Sequence, residues 1–168
     1  MLPDTDPTDR VTAYHFVGAT LRDGRLIPED GVWLEHDGPV EMCQSGLHAS
    51  PTPWDALRYA PGPVLCEVEI DGIEFRDADK VVGRRRRILR RVDLTATLRA
   101  FARDEASRVL HLWDAPEIVK RYLATGDESI RAATRDAAGA ATGAAARDAA
   151  WERFNVAAHA ALRGRDAA

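Results

Sequence analysis

The chain has 168 residues, of which 45% are hydrophobic, 30% charged and 7% aromatic, and its net charge is −4. That is enough for one domain with a helical extension and a core of its own. No run approaches the eighteen or so apolar residues a membrane-spanning helix needs, and two cysteines make no disulfide framework. The charge is unevenly spread. Arg84, Arg85, Arg86, Arg87, Arg90 and Arg91 are six of the 23 basic residues; the other 17 face 27 acidic ones, a balance of −10. The chain thus reads as an acidic protein with one concentrated basic element, not as a generally basic nucleic-acid binder.

Residues 1–10, MLPDTDPTDR, are acidic and Pro-rich with no apolar core of a signal peptide, and read as a flexible lead-in. A cytoplasmic protein with reduced thiols is the expectation. From Val11, VTAYHFVG mixes β-branched and aromatic residues, as strands do. Asp23-Gly24, Asp30-Gly31 and Asp37-Gly38 follow seven residues apart, predicting a meander of short strands and tight turns. Ser50 is the expected cap of a short helix with Pro51 in its first turn, stopped by Pro61-Gly62-Pro63. VLCEVEI, residues 64–70, is the clearest strand: Val64, Cys66, Val68 and Ile70 point one way, Leu65, Glu67 and Glu69 the other. Turns are expected at Asp71-Gly72 and at Asp77, with β pattern continuing through DKVVGRRRRILRRV.

At Asp93 the period changes. Leu94, Leu98, Phe101, Ala102, Ala106, Val109, Leu110 and Trp113 recur at helical spacing, with Asp93 as N-cap. DAPEIVKRYLATG repeats the device, with Asp114 capping, Glu117 at the capping-box position and Gly126 ending the helix. A final helix is expected from Asp127 to about Leu162, where 17 of the last 37 residues are Ala. Its narrow stripe runs through Ile130, Ala137, Ala141, Ala144, Trp151, Ala158 and Leu162. Gly139-x-x-x-Gly143 there suits close helix packing. The expected fold is α+β. A β-rich N-terminal half, residues 11–92, carries an antiparallel or mixed sheet with one short helix. A three-helix C-terminal region, residues 93–163, packs on it and is Ala-rich from about 130, and 164–168 form a tail.

Among chemically capable residues, Cys43, His48 and Cys66 lack any Cys-x-x-Cys pair, so no metal site is expected. The two cysteines read as packing residues. His48 reads as a pin for the strand-to-helix turn through a backbone carbonyl. His15 lines a pocket or sits on the outer sheet face. The four tryptophans, Trp33, Trp54, Trp113 and Trp151, read as packing anchors. The arginine run offers concentrated positive charge for phosphate contacts; the alternative is a solvated edge strand paired with the acidic remainder. As a regular strand it would put Arg84, Arg86 and Arg90 on one face with Ile88, and Arg85, Arg87 and Arg91 on the other with Leu89.

Taken together, SGLHASPTPWDALRYAPGPVLCEVEIDG, ADKVVGRRRRIL, TLRAFARDEASRVLHLW and the Ala/Arg/Asp tail resemble a family of uncharacterised proteins from actinobacteria and their phages. The resemblance spans roughly residues 11–155, and the tail is similar to Ala-rich segments of immunity-type proteins. More distantly, Gly46-Leu47-His48-Ala49-Ser50, the short helix and VLCEVEIDG are similar in layout to the central segment of ADP-ribosyltransferase-like folds. AYHFVG stands for the first strand of that fold, whose His contacts the NAD ribose. That resemblance implies His15 and His48 as pocket residues and NAD as the cofactor; Leu47 replaces its stacking aromatic, and no acidic residue matches its catalytic Glu.

The leading expectation is a cofactor-free, non-catalytic binding protein of bacterial or phage origin, acting in phage–host or toxin–immunity conflict. Its ligand would be anionic, a nucleotide or nucleic acid, or else an acidic protein, held at Arg84, Arg85, Arg86, Arg87, Arg90 and Arg91 near a pocket between the β-rich half and the first helices. No membrane partner is expected, and the C-terminal helices offer a route to a homo-oligomer. The alternatives are an NAD-using ADP-ribosyltransferase-like enzyme and a protein-interaction or immunity-type scaffold.

Overall fold

The computed structural model describes residues 10–112, 115–137 and 144–164, without the side chains of 136, 137 and 144–149. In chain order its elements are β1 (Val11–Val17), β2 (Leu34–Glu35), β3 (Leu47–Ala49), α1 (Pro53–Leu57), β4 (Val64–Arg76), β5 (Val81–Asp93), α2 (Thr95–Arg108), α3 (Glu117–Thr125), α4 (Arg131–Ala137) and α5 (Ala144–Arg163), with 3-10 turns at Leu110–Leu112 and Glu128–Ile130. A five-stranded antiparallel sheet followed by helices makes the fold α+β. The chain divides into two compact units, Met1–Leu94 with Ala157–Ala168, and Thr95–Val156.

The first unit is organised by the β4–β5 hairpin, two strands of 13 residues each. The Asp77 turn is where expected, its amide bonded to the Lys80 carbonyl at 2.8 Å. Asp71-Gly72 is not a turn: β4 runs straight through it, Gly72 being accommodated at φ 61°. β1 pairs with the start of β4, β2 and β3 with the free side of β5. Ser50 and Tyr14 then exchange both backbone hydrogen bonds at 2.8 Å, joining the end of β3 to β1. The circuit β1–β4–β5–β3–β1 is thereby closed, and the sheet has an inside. Irregularities between Glu67 and Val68 and between Ile73 and Phe75 supply the curvature.

The inside is filled by Ala13, Val17, Ala49, Cys66, Val68, Ile70, Val81 and Ile88, with Val64 packed against them. This is the face of β4 that strand alternation predicted. Each such large side chain contributes roughly 1.5–3 kcal/mol on burial. On the opposite face Tyr14 meets His159 edge-on, ring centroids 5.2 Å apart.

Several local expectations give way. Only β2 and two isolated bridges, Thr20–Leu26 and Glu41–Ser45, occur where a meander was expected. Gly24 and Gly31 do take positive φ, but the first turn is flanked only by the isolated Thr20–Leu26 bridge and the second docks on β5 through the Gly31 amide and the Ile88 carbonyl, so neither joins two strands of the sheet. Ser50 is spent on closing the sheet, so the cap of α1 passes to Thr52, whose side chain accepts from the Asp55 amide. Asp93 remains in β5, paired with Val64, and α2 begins at Thr95. Pro116 precedes Glu117, which opens α3 instead of standing three residues in, while Gly126 ends α3 in the left-handed conformation as expected. Trp113 and the Asp114 cap lie outside the described residues.

In the second unit Phe101 and Phe154 meet edge-on at 5.4 Å, and Glu105 accepts from Arg153 Nε at 2.7 Å. The last expected helix is met as two, α4 and α5, either side of residues 138–143; the Gly139/Gly143 motif lies outside the described residues. Of its stripe, Ala158 and Leu162 are buried, but Trp151 is exposed.

Gly46 carries the tightest requirement in the turn before β3. Its φ is 101°, and a Cβ there would stand 2.7 Å from Val82 Cγ1 and 2.9 Å from Val40 Cγ1. Gly46→Ala is therefore expected to lower stability by about 2–4 kcal/mol, backbone strain and overpacking together. Gly24→Ala, at φ 85° with open space around it, should lose only about 1 kcal/mol. Urea unfolding of both variants separates the two contributions.

Candidate anion-binding site

The arginine run is β5 itself, and its register decides what each side chain can do. Cross-strand partners share a face. Ile70 pairs with Arg86 and Val68 with Ile88, so Arg86 points inside; Asp71 pairs with Arg85 and Glu69 with Arg87, so these point out. Glu67 then pairs with Arg90 while Val68 pairs with Ile88, leaving Leu89 as an extra residue in β5. This bulge reverses the alternation and corrects the sequence-based faces. Arg90 joins Arg85 and Arg87, and Arg91, opposite Cys66, joins the side of Arg86.

Carboxylates on β4 meet the outer row. Arg87 Nε lies 2.6 Å and Arg90 Nε 2.5 Å from the oxygens of Glu69 and Glu67. Arg85 lies between Glu35 and the buried Asp71 at 3.3 and 3.5 Å. The Trp33 ring is flanked by the guanidiniums of Arg85 and Arg87 at 4.6 and 4.8 Å, with Arg10 at 5.6 Å, so Trp33 is a half-buried cation–π platform and not a core anchor. Arg84 pairs with Glu74 at 2.5 Å and donates to the Gly38 carbonyl. Arg91 reaches across to the loop before β2, bonding Asp30 at 2.6 Å and the Pro28 carbonyl at 2.7 Å.

Arg86 differs from all of these. It is 7% exposed, and its described partner is the His48 backbone carbonyl. No carboxylate stands against it among the described residues. Burial lowers its pKa to about 10, which still leaves it cationic at neutral pH. The nearest acidic group, the Cys66 thiol, is itself pushed up by burial to about 11 and stays neutral. Arg86 lines a cavity of about 10 Å³, room for one water molecule, together with His15, Val17, Ile88 and Leu34 from the sheet and Leu21, Ile27, Pro28 and Val32 from the loop that covers it.

His15 and His48 come together around this guanidinium, but in different roles. His15 is on the inner face of β1 and lines the cavity. Burial, then the charges of Arg86 and His48, hold its pKa well below the usual histidine value, so it is neutral. The His48 ring is turned to its own backbone: Nε2 accepts the Cys43 amide at 3.1 Å, and Nδ1 donates to the Gly46 carbonyl at 3.1 Å. It pins the turn, as the sequence suggested. Cys66 is buried, but Cys43 is exposed at φ 64°, with Lys80 Nζ 3.2 Å from its sulfur, so it is not a packing residue. Among the described residues no three His, Cys, Asp or Glu side chains are grouped to hold a metal ion, and no helix is long and apolar enough to cross a membrane.

Sequence reasoning placed Arg86 in a row of six equals and missed the cavity wall. Leu21, Ile27, Pro28 and Val32 sit in the Asp-Gly loop, where their apolar character was the available signal.

Residues 11–100, more than half of the chain, match the family model described as "Domain of unknown function (DUF7666)", and the chain belongs to that family. The match takes in all five strands, the arginine run, His15 and His48. No curated protein and no solved structure matches the chain.

Both histidines have pKa values lowered by burial, so the unfolded chain takes up protons first as pH falls. Their contribution to stability is complete above about pH 6.5 and is lost as pH falls from there toward their folded-state values. Urea midpoints measured from pH 8 to pH 5 should fall below pH 6.5, and His15→Leu should flatten that dependence.

Proposed function

We propose that this family member is a non-catalytic binding protein for a small anionic ligand, whose phosphate or carboxylate is taken by Arg86 inside the closed sheet. The observation that carries this reading is a buried guanidinium with no carboxylate beside it among the described residues. An uncompensated buried charge is costly, and an anion from outside that supplies the missing partner makes charge-assisted, bidentate hydrogen bonds. His15, neutral in the same cavity, adds a ring nitrogen for a second hydrogen bond. The cavity as it stands has room for one water molecule, so the body of an organic ligand such as a nucleotide needs the loop of residues 18–33 to move aside and would then lie against its apolar residues.

Entry is through the loop of residues 18–33. It is held to the rest of the unit by few bonds, the Gly31 amide on the Ile88 carbonyl and the Arg91 clamp on Pro28 and Asp30. Such a segment opens at less cost than the ladder beneath it. A small ligand is favoured over a nucleic-acid strand because the outward arginines, Arg85, Arg87 and Arg90, already face Glu35, Asp71, Glu69 and Glu67.

The enzyme alternative, an NAD-using transferase, rests on His15 and His48 both lying near Arg86. With both ring nitrogens of His48 bonded to backbone, that histidine supports a turn instead of a ribose.

Calorimetric titration with mononucleotides, dinucleotides including NAD, short oligonucleotides and dicarboxylates tests the reading. A small anion is expected to bind, and Arg86→Met to weaken it at least tenfold. Arg86→Met should leave the thermal midpoint unchanged or raised, because a buried unpaired charge is removed. Arg87→Ala should change affinity little. NAD turnover lost in His15→Ala would favour the enzyme; salt-steep oligonucleotide binding lost in Arg85→Ala and Arg87→Ala would favour a nucleic-acid surface.

A further inference from the structure

The second unit carries its own binding surface, which owes nothing to Arg86. No residue of α2 is fully buried: Phe101 turns to Phe154, and Leu98, Ala102 and Ala106 lie along another side of the helix. Leu98, Ala102 and Ala106 face a groove of about 470 Å³ between α2, α3 and α4. Leu98, Val109, Leu110, Val119, Tyr122 and Leu123 form its apolar lining, and Ala102 and Ala106 leave its floor shallow. Helices are normally held by an amphipathic face in contact with something, and among the described residues this side of α2 is only half-covered.

Arginines line the groove in two rows. Arg99 and Arg103 stand one turn apart on α2, and Arg131 and Arg135 one turn apart on α4. At one end Glu128 lies 3.4 Å from Arg99 and 3.9 Å from Arg131, a carboxylate shared by the two rows. One turn further on, Arg103 rests against Gly126 at the end of α3. Neither Arg103 nor Arg135 has a carboxylate against it among the described residues.

We infer that this groove docks an acidic amphipathic helix of a protein partner. The charge pattern selects that occupant. Arg99 and Arg131 already share Glu128, which leaves Arg103 of α2 and Arg135 of α4 to take one Asp or Glu on either flank of an apolar stripe, with further acidic residues at i and i+4 competing for the shared pair. A single-headed amphiphile such as a fatty acid would satisfy one arginine and leave the other unmatched.

The test uses the full chain and a designed helical peptide with Leu along one face and Glu at i, i+4 on both flanks, labelled for fluorescence anisotropy. Two companion peptides replace Glu by Gln or by Lys. Binding of the Glu peptide is expected, at least tenfold tighter than the Gln peptide. Arg103→Glu with Arg135→Glu should weaken it tenfold or more and should create binding of the Lys peptide. Ala102→Trp, a change at an exposed position, should block the groove. Circular dichroism confirms that each variant is folded. Equal affinity for the Glu and Gln peptides, no binding of the Glu peptide, or no effect of the charge reversal would overturn the proposal. So would stoichiometric displacement of the peptide by palmitate, which would assign the groove to a lipid.

Discussion

Two backbone hydrogen bonds between Tyr14 and Ser50 decide the character of the first unit. Without them the β4–β5 hairpin and its neighbours would be an open ribbon whose Cys66 face had no enclosure, although Phe16 and Leu65 on the other face are buried as well. With them the sheet curls shut, one face becomes an interior, and every residue on it must be apolar, neutral or paired. Ala13, Val17, Cys66, Val68 and Ile70 meet that condition as hydrocarbon and thiol; His15 meets it by staying neutral. Arg86 does not meet it, since its charge survives burial and its one described partner is a backbone carbonyl.

The rest of the arginine run shows how the same strand handles charge outside. Glu67, Glu69 and Asp71 alternate along β4 and meet Arg90, Arg87 and Arg85 across the hairpin, with Glu35 of β2 beyond Arg85. Asp71 is fully buried and the Glu67 and Glu69 pairs are part-buried, and together these pairs fit one register of the hairpin. The Leu89 bulge makes that register possible, because without it Arg90 would turn inward beside Ile88. One extra residue thus separates a salt-bridged outer row from a single interior cation.

The second unit follows the opposite principle. Among the described residues its α2 has none fully buried, and arginines of α2 and α4 line the groove beside it. A groove like this has little to gain from closing on itself when Ala102 and Ala106 provide no volume to fill it. Shallow side chains that weaken internal packing also let another helix approach closely.

The strand at residues 64–70 with its inner face, the Asp77 turn, the β pattern through the arginine run and the Gly126 cap were all legible in the residue order. So were the existence of helices after residue 93 and the pinning role of His48. Each depends on contacts within a few residues or on simple alternation, which the sequence by itself determines. The end of the Asp-Gly meander as an irregular loop, the transfer of the α1 cap from Ser50 to Thr52 and the sorting of the arginines were not legible. They were decided by partners far along the chain: Tyr14 for Ser50, Asp30 for Arg91, and the bulge opposite Glu67 for Arg90. Six arginines in a row carry the same charge in sequence. Only tertiary structure, by closing a sheet around one of them, decided that Arg86 alone would be held in a medium where charge demands a counterion.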